Sequence, residues 1–216
     1  MLTVLWDNDG VLVDSEGLYF QACREALGSV GVGLTLEQFK DISLRRGESV
    51  FLLATEQGIA GHDVDELRKR RDQRYTELLT LRCPAIDGAR DVVRALHGRV
   101  RMGVVTSSRR GHFKAAHAHS GMVPYMDFVL TREDYTRSKP DPEPYRTAME
   151  RHGLRPEHCI VVEDSERGLA SATAAGVNCI VVLSEWTQGG DFTTAVAVVE
   201  NIFGVADEVL RKAGRC

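Results

Sequence analysis

From Leu2 to Trp6 the chain is almost wholly apolar, and runs of the same kind return only after Pro84. Val100 to Val105, Phe128 to Leu130, Ile160 to Val162 and Cys179 to Leu183 are each short and rich in β-branched residues. Stretches of helical period, such as Ala89 to Leu96 and Glu143 to Arg151, separate them. Continuous apolar strands that alternate with helices predict a parallel sheet with crossover helices. Between Leu18 and Leu81 the period changes. Leu18, Ala22 and Ala26, and beside them Tyr19, Cys23 and Leu27, form two i+4 rows of a helix. Thr35 with Gln38, and Asp63 with Glu66, have the spacing of capping pairs that open further helices. The expected fold is α/β: a core from residues 1–14 and 83–216, with a small helical domain, residues 15–82, inserted between Asp14 and Pro84.

Composition narrows the function classes. With 216 residues, 43% hydrophobic and 27% charged, the chain has the make-up of a globular protein with one sizeable core plus an insertion. A net charge of −4 argues against a nucleic-acid partner, which a clustered excess of Lys and Arg would announce. The apolar start is broken at Asp7, well short of the roughly 20 residues of a spanning helix, so no membrane association is expected. Cys23, Cys83, Cys159, Cys179 and Cys216 are odd in number and lack CxxC spacing, which reads as reduced thiols in a cytoplasmic protein.

The chemistry is concentrated where strands end. In "VLWDNDGVLVDSE" the first strand runs into Asp7 and Asp9, which an extended backbone would hold side by side. At about 4 Å and an effective dielectric of roughly 20, two such charges repel by on the order of 4 kcal/mol. The pair therefore implies a bound cation, a shared proton or a sharp divergence of the chain. Ligand crevices in parallel sheets lie at the carboxyl ends of strands. Those ends carry Asp7 and Asp9, then Thr106, Ser107 and Ser108, then Glu163, Asp164 and Ser165, with Lys139 in "SKPDPEPY" ahead of a helix. Carboxylates for a divalent metal, hydroxyls, a helix start and one ammonium together describe a phosphate site. Singly, each has a plainer reading. Asp63-Val64-Asp65 is also a DxD, suited to a helix N-terminus; Thr106 to Ser108 and Asp164-Ser165 suit N-caps; Lys139 suits a surface. Four segments at the expected places outweigh capping.

In order, "DNDGVLVDSE", "VVTSS", "SKPDPEPY" and "VVEDSERGLASATAAG" resemble the four motifs of the haloacid dehalogenase superfamily, in the branch of β-phosphoglucomutase and the small sugar-phosphate phosphatases. The resemblance implies a Rossmann-like core with a helical cap. It also implies Asp7 as nucleophile and Asp9 as general acid and base, with Thr106, Ser107 and Lys139 holding phosphoryl oxygens. Mg²⁺ would be bound by Asp7, Asp164, the main-chain carbonyl of Asp9 and Glu163. Asn8 departs from the apolar residue usual between the aspartates, and if buried it needs a hydrogen-bond partner that the sequence does not name.

The activity that the resemblance implies is that of a Mg²⁺-dependent phosphatase of a small phosphorylated metabolite, expected as a monomer or weak dimer. A phosphosugar mutase with the same aspartyl phosphate is the alternative, and a phospho-accepting signalling domain a more distant one. Tyr19 stands where the mutases of this branch carry a cap histidine, which favours hydrolysis; Arg46 aligns with a substrate-contacting cap arginine, so both are candidate substrate-binding residues. His112, His117 and His119 suggest a metal site, but on a helix 117 and 119 face about 200° apart, and a structural role is expected. The basic run Glu66 to Tyr75 reads as a solvated helix face.

Overall fold

The computed structural model describes residues 1–214, so Cys216 lies outside the described residues. The chain divides into two compact units, one of Met1–Asp14 with Pro84–Cys216 and one of Ser15–Cys83.

The first unit is built on six parallel strands, β1 (Thr3–Trp6), β2 (Arg101–Val105), β3 (Phe128–Leu130), β4 (Cys159–Glu163), β5 (Asn178–Val182) and β6 (Ala197–Val199), in the order β3-β2-β1-β4-β5-β6. This is the Rossmann-like order. β1 pairs with β2 on one side and β4 on the other, Leu5 lying between Gly103 and Val161. Every residue of β1 and β4 is buried, which is why both read as unbroken apolar runs. Leu5, Val161 and Cys179 are in register on one face. There they join Tyr145, Ala148 and Met149 of α7 (Glu143–His152) and Leu169 and Ala172 of α8 (Glu166–Ala174) in one apolar cluster. The helices α5 (Ala89–Leu96), α6 (Arg110–Ala116) and α9 (Phe203–Ala213) complete this unit.

The second unit holds α1 (Glu16–Gly28), α2 (Leu36–Phe39), a π-helical segment (Lys40–Arg45), α3 (Leu52–Glu56) and α4 (Gly61–Arg82). Both predicted rows of α1 supply buried residues: Leu18, Ala22 and Ala26, and Cys23 and Leu27. The basic stretch of α4 is laced with acids: Arg68 pairs with Asp65, Lys69 and Arg70 with Glu66, and Arg74 with Glu25 and Glu77. No helix among the described residues is long and apolar enough to cross a membrane.

Several expectations are corrected. Thr35 and Gln38 do form a reciprocal capping box, but Asp63 does not open α4. Ala60 is the N-cap, and the Asp63 N–H already donates to its carbonyl at 3.0 Å, so the helix is wound before the pair is reached. β2 starts one residue late, β4 gains one residue at each end and β5 is shifted back by one, because backbone pairing, not apolarity, sets strand ends. The edge strand β6 was not anticipated: it has three residues and none is fully buried. Helix α6 ends at Ala116, which leaves His117 as its C-cap and His119 beyond it.

Gly168 lies in the first turn of α8, where a Cβ would fall 1.8 Å from the carboxyl carbon of Glu163. The absent side chain lets the helix approach the end of β4. Gly168→Ala is expected to destabilise by about 1–3 kcal/mol, a fall of roughly 2–12 °C in Tm. Gly111→Ala in α6, where a Cβ meets nothing within 4 Å, is expected to be neutral or mildly stabilising. Thermal melts of the two variants check the contrast.

Candidate active site

Strand order reverses between β1 and β4, so the loops after these neighbouring strands diverge and leave a crevice at their carboxyl ends. Asp7 follows β1 directly, its N–H donating to Val162 O at 2.9 Å as the ladder ends. Glu163 is the last residue of β4 and Asp164 the next. Each of the three offers an oxygen, and these oxygens lie within 4.8 Å of one another.

Lys139 reaches this group from the loop before α7. Its Nζ donates to Asp7 Oδ1 at 2.7 Å, Glu163 Oε1 at 2.7 Å and Val105 O at 2.9 Å. Far from being a surface lysine, it is 5% exposed. Burial opposes its charge, but Asp7 and Glu163 outweigh that and hold the ammonium well above the usual lysine value. Asp7 is raised as well: burial first and then the Glu163 charge, against the pull of Lys139 and with a smaller push from Asp9, raise it to about 7. One ammonium does not offset the acids packed here. The donors are hard oxygens, which suit Mg²⁺ or a similar divalent cation better than zinc. Gly10 at φ +79° also makes room for them, since a Cβ there would sit 2.2 Å from Asp164 Oδ2. The cluster fits a divalent cation.

Asp9 is held differently. Its Oδ2 accepts the Ser108 hydroxyl at 2.7 Å and the Thr106 hydroxyl at 3.3 Å, while Thr106 Oγ1 accepts the Ser108 N–H at 3.0 Å. Ser107 is exposed at this turn, and the Tyr135 hydroxyl donates to Thr106 O at 2.8 Å. Ser165 is the N-cap of α8: its Oγ accepts the Gly168 N–H and donates to Glu163 Oε2 at 3.1 Å.

Asp7, Asp9, Thr106, Lys139, Glu163 and Asp164 thus gather at the strand ends. Tyr19 and Arg46 belong to the other unit. Within it, the Tyr19 hydroxyl accepts from Arg71, whose guanidinium lies over its ring at 4.8 Å, and Tyr19 packs edge-on to Tyr75. Arg46 is half-exposed and pairs with Glu48 and Asp41.

Four partners were given no role, although Ser108 stood among the strand-end residues. Ser108, Ser184 (donating to Asp164 Oδ2 at 3.1 Å) and Tyr145 (donating to Glu163 Oε1 at 2.8 Å) all bond the carboxylates. Ser108 and Ser184 follow β2 and β5, and strand-end position was the signal available; nothing in sequence marks Tyr145. The fourth is His117, whose Nε2 lies 2.7 Å from Oδ1 of the fully buried Asn8. The partner that Asn8 required is therefore one of the three histidines read as structural. Among the described residues, Asp7, Glu163 and Asp164 are the group arranged to hold a metal, and no histidine takes part.

Comparison with known proteins extends these observations. Residues 4–182 match the haloacid dehalogenase-like hydrolases. The chain is 32% identical to validoxylamine A 7′-phosphate phosphatase of Streptomyces hygroscopicus subsp. limoneus, over 82% of this chain and 83% of the relative. It is 29% identical to a phosphorylated carbohydrates phosphatase of Thermotoga maritima, over 97% of this chain and 100% of the relative. The fold is similar to that of CbbY from Rhodobacter sphaeroides in complex with phosphate, with a TM-score of 0.79, 21% identity and coverage of 94% and 95% of the two chains. A motif-bearing sheet edge, a match that runs from β1 to β5 and relatives aligned over most of their length lead to one conclusion: the chain belongs to the haloacid dehalogenase-like hydrolase family.

Proposed function

We propose that the chain is a Mg²⁺-dependent phosphatase that hydrolyses a small phosphorylated metabolite, a sugar phosphate in the first place, through an aspartyl phosphate at Asp7. The observation that carries the reading is Lys139 bound at once to Asp7 and Glu163 beside Asp164, a cluster suited to a divalent cation at the switch point of the sheet. The sugar-phosphate class rests on the phosphatase names of the relatives.

In this reading the Asp7 carboxylate attacks phosphorus, the bond to the ester oxygen breaks, and Asp9 gives its proton to the departing alkoxide. Water then attacks the same phosphorus and loses a proton to Asp9, and the bond to Asp7 breaks to release phosphate and restore both carboxyl groups. The bond from the Ser108 hydroxyl to Asp9 Oδ2 supports this role, because it orients the carboxyl group through both steps, while the single Thr106 hydroxyl proton, on the same oxygen at 3.3 Å, turns to the phosphoryl group when substrate binds. Lys139, Thr106 and the Ser107 N–H bind equatorial phosphoryl oxygens, an electrostatic contribution aimed at the transferring group. Asp7, Asp164, Glu163 and the carbonyl of Asp9 would hold Mg²⁺, which supplies charge neutralisation of the carboxylates and the phosphoryl group. Hydrolysis is favoured over mutase chemistry by Tyr19, whose phenol burial holds well above its usual value, so that it takes no part in proton exchange near neutrality.

Asp7→Asn is expected to lower kcat with phosphate monoesters by many orders of magnitude, and near-normal turnover would refute the mechanism. A steady-state screen of hexose, pentose and aryl phosphates with Mg²⁺ makes the measurement and names the substrate. We assign selectivity among them to Arg46: Arg46→Ala is expected to weaken turnover of the preferred sugar phosphate more than that of p-nitrophenyl phosphate.

Metal binding has its own readout. At a hundred-fold excess over Kd, Mg²⁺ stabilises by about 2.7 kcal/mol, roughly 5–11 °C in Tm, and Asp164→Asn is expected to abolish the shift. The folded, metal-free Asp7 titrates at about 7 against 3.8 unfolded, so between these values the folded state keeps a proton that the unfolded state has lost. The Asp7 contribution, read as the difference in stability between chelator-treated wild type and Asp7→Asn, is therefore expected to fall as pH rises from 4 to 7; His117, lowered to about 4 against 6.5 unfolded, acts in the opposite sense and cancels in that difference. The Mg²⁺ shift, needing ionised Asp7, is expected to be larger at pH 8 than at pH 6. Differential scanning fluorimetry with and without EDTA checks both.

A further inference from the structure

Asn8 separates the two aspartates, and its main-chain oxygen accepts the N–H groups of Val11, Leu12 and Val13 at 3.3, 2.8 and 3.1 Å. The turn that follows Asp7 and carries Asp9 and Gly10 is thus wound about this one residue. Its side chain is completely buried, and its Nδ2 finds no partner among the described residues. What holds that side chain is the contact of 2.7 Å between Oδ1 and His117 Nε2. His117, itself buried at the C-cap of α6, is held at its other nitrogen, Nδ1 lying 2.7 Å from Ser120 Oγ. Ser120 Oγ in turn accepts the Met122 N–H at 3.2 Å.

The chemistry of the pair fixes the direction of the bond. An amide oxygen can only accept, so Nε2 carries the proton and Nδ1 accepts from the Ser120 hydroxyl. Burial, against a small opposing effect of the Asp9 charge, lowers the imidazole to about 4 and keeps it neutral under ordinary assay conditions. A buried histidine and a buried amide need partners somewhere, but here the partner is the residue interposed between the aspartates.

We propose that His117 is a positioning residue, whose Nε2–H, donated to Asn8 Oδ1, fixes the turn from which Asp7 and Asp9 project their carboxyl groups. The inference rests on the phosphatase reading above and adds to it a residue that touches neither substrate nor metal.

The test is steady-state kinetics of the full chain with p-nitrophenyl phosphate and Mg²⁺, with kcat and KM resolved and Tm measured for every variant. His117→Met keeps a similar volume without the N–H, and its kcat is expected to fall about ten- to a hundred-fold, with KM held within about two-fold. His117→Gln offers an amide N–H in its place and is expected to recover most of the loss. Asn8→Ala removes the acceptor and is expected to give a loss like that of His117→Met. In the double variant the second change should add nothing, because one interaction is being removed twice. Wild-type kcat in folded His117→Met, equal loss in the Gln and Met variants, or losses that multiply in the double variant would overturn the proposal. If His117→Met does not fold, Asn8→Ala decides alone, and near-wild-type kcat in that variant overturns it. A wild-type protein no more active than Asp7→Asn would instead refute the phosphatase reading, and this inference with it, before any His117 variant is measured.

Discussion

An ammonium group removed from water must find three acceptors and enough negative charge to replace its hydration. Lys139 finds them at the ends of three different strands: Asp7 just past β1, Val105 in β2 and Glu163 in β4. Its position therefore depends on the sheet being in register, and the positions of Asp7 and Glu163 depend on it. Glu163 carries the interaction outward, since Tyr145 donates to the same Oε1 while Ser165 donates to Oε2. These bonds tie α7 and the start of α8 to the same buried charge. Removing one member of such a group leaves the others buried and unpaired, which costs more than the lost bond.

The acids around Lys139 are packed more closely than one lysine explains, and the backbone is shaped to allow it. Gly10 clears the space beside Asp164, and Gly168 clears the space beside Glu163. At both points the absent side chain leaves room that a carboxylate occupies. Burial, and after it the nearness of Glu163, work against ionised Asp7 in the absence of a cation and raise it to about 7. Sites that accept strain of this kind are commonly functional.

How much of this was legible depends on the kind of interaction behind each feature. β1 and β4 were readable because strands buried on both faces must be apolar throughout, whereas β6, at the sheet edge with its residues only partly buried, carries no such mark. Asp7, Asp9, Thr106, Lys139, Glu163 and Asp164 could be singled out because strand ends and helix starts are local features, and local features can be read in order along a chain. Ser108 stood beside Thr106 at the same strand end, whereas Ser184, Tyr145 and His117 could not be ranked, because each is defined by a partner that only the fold brings to it. The His117–Asn8 bond spans 109 residues, so both ends were visible as oddities and the link between them was not. Asp63 failed as a cap for the converse reason: its local spacing was right, but the helix had already begun at Gly61.

The two aspartates after β1 are separated by a single residue and yet are held by unlike partners. Asp7 is bonded to a cation, which favours its ionised form even as burial and Glu163 oppose it. Asp9 is bonded by two neutral hydroxyls, Thr106 and Ser108, which can orient a carboxyl group whether or not it carries a proton. A nucleophile has to be an anion when it attacks, and an ammonium partner serves that. A group that must give up a proton and later regain one is better served by partners that do not require it to be charged. The division of roles proposed for Asp7 and Asp9 thus arises from what surrounds each carboxylate, and the sequence, in which both are simply Asp, contains it only through the residues that the sheet brings to meet them.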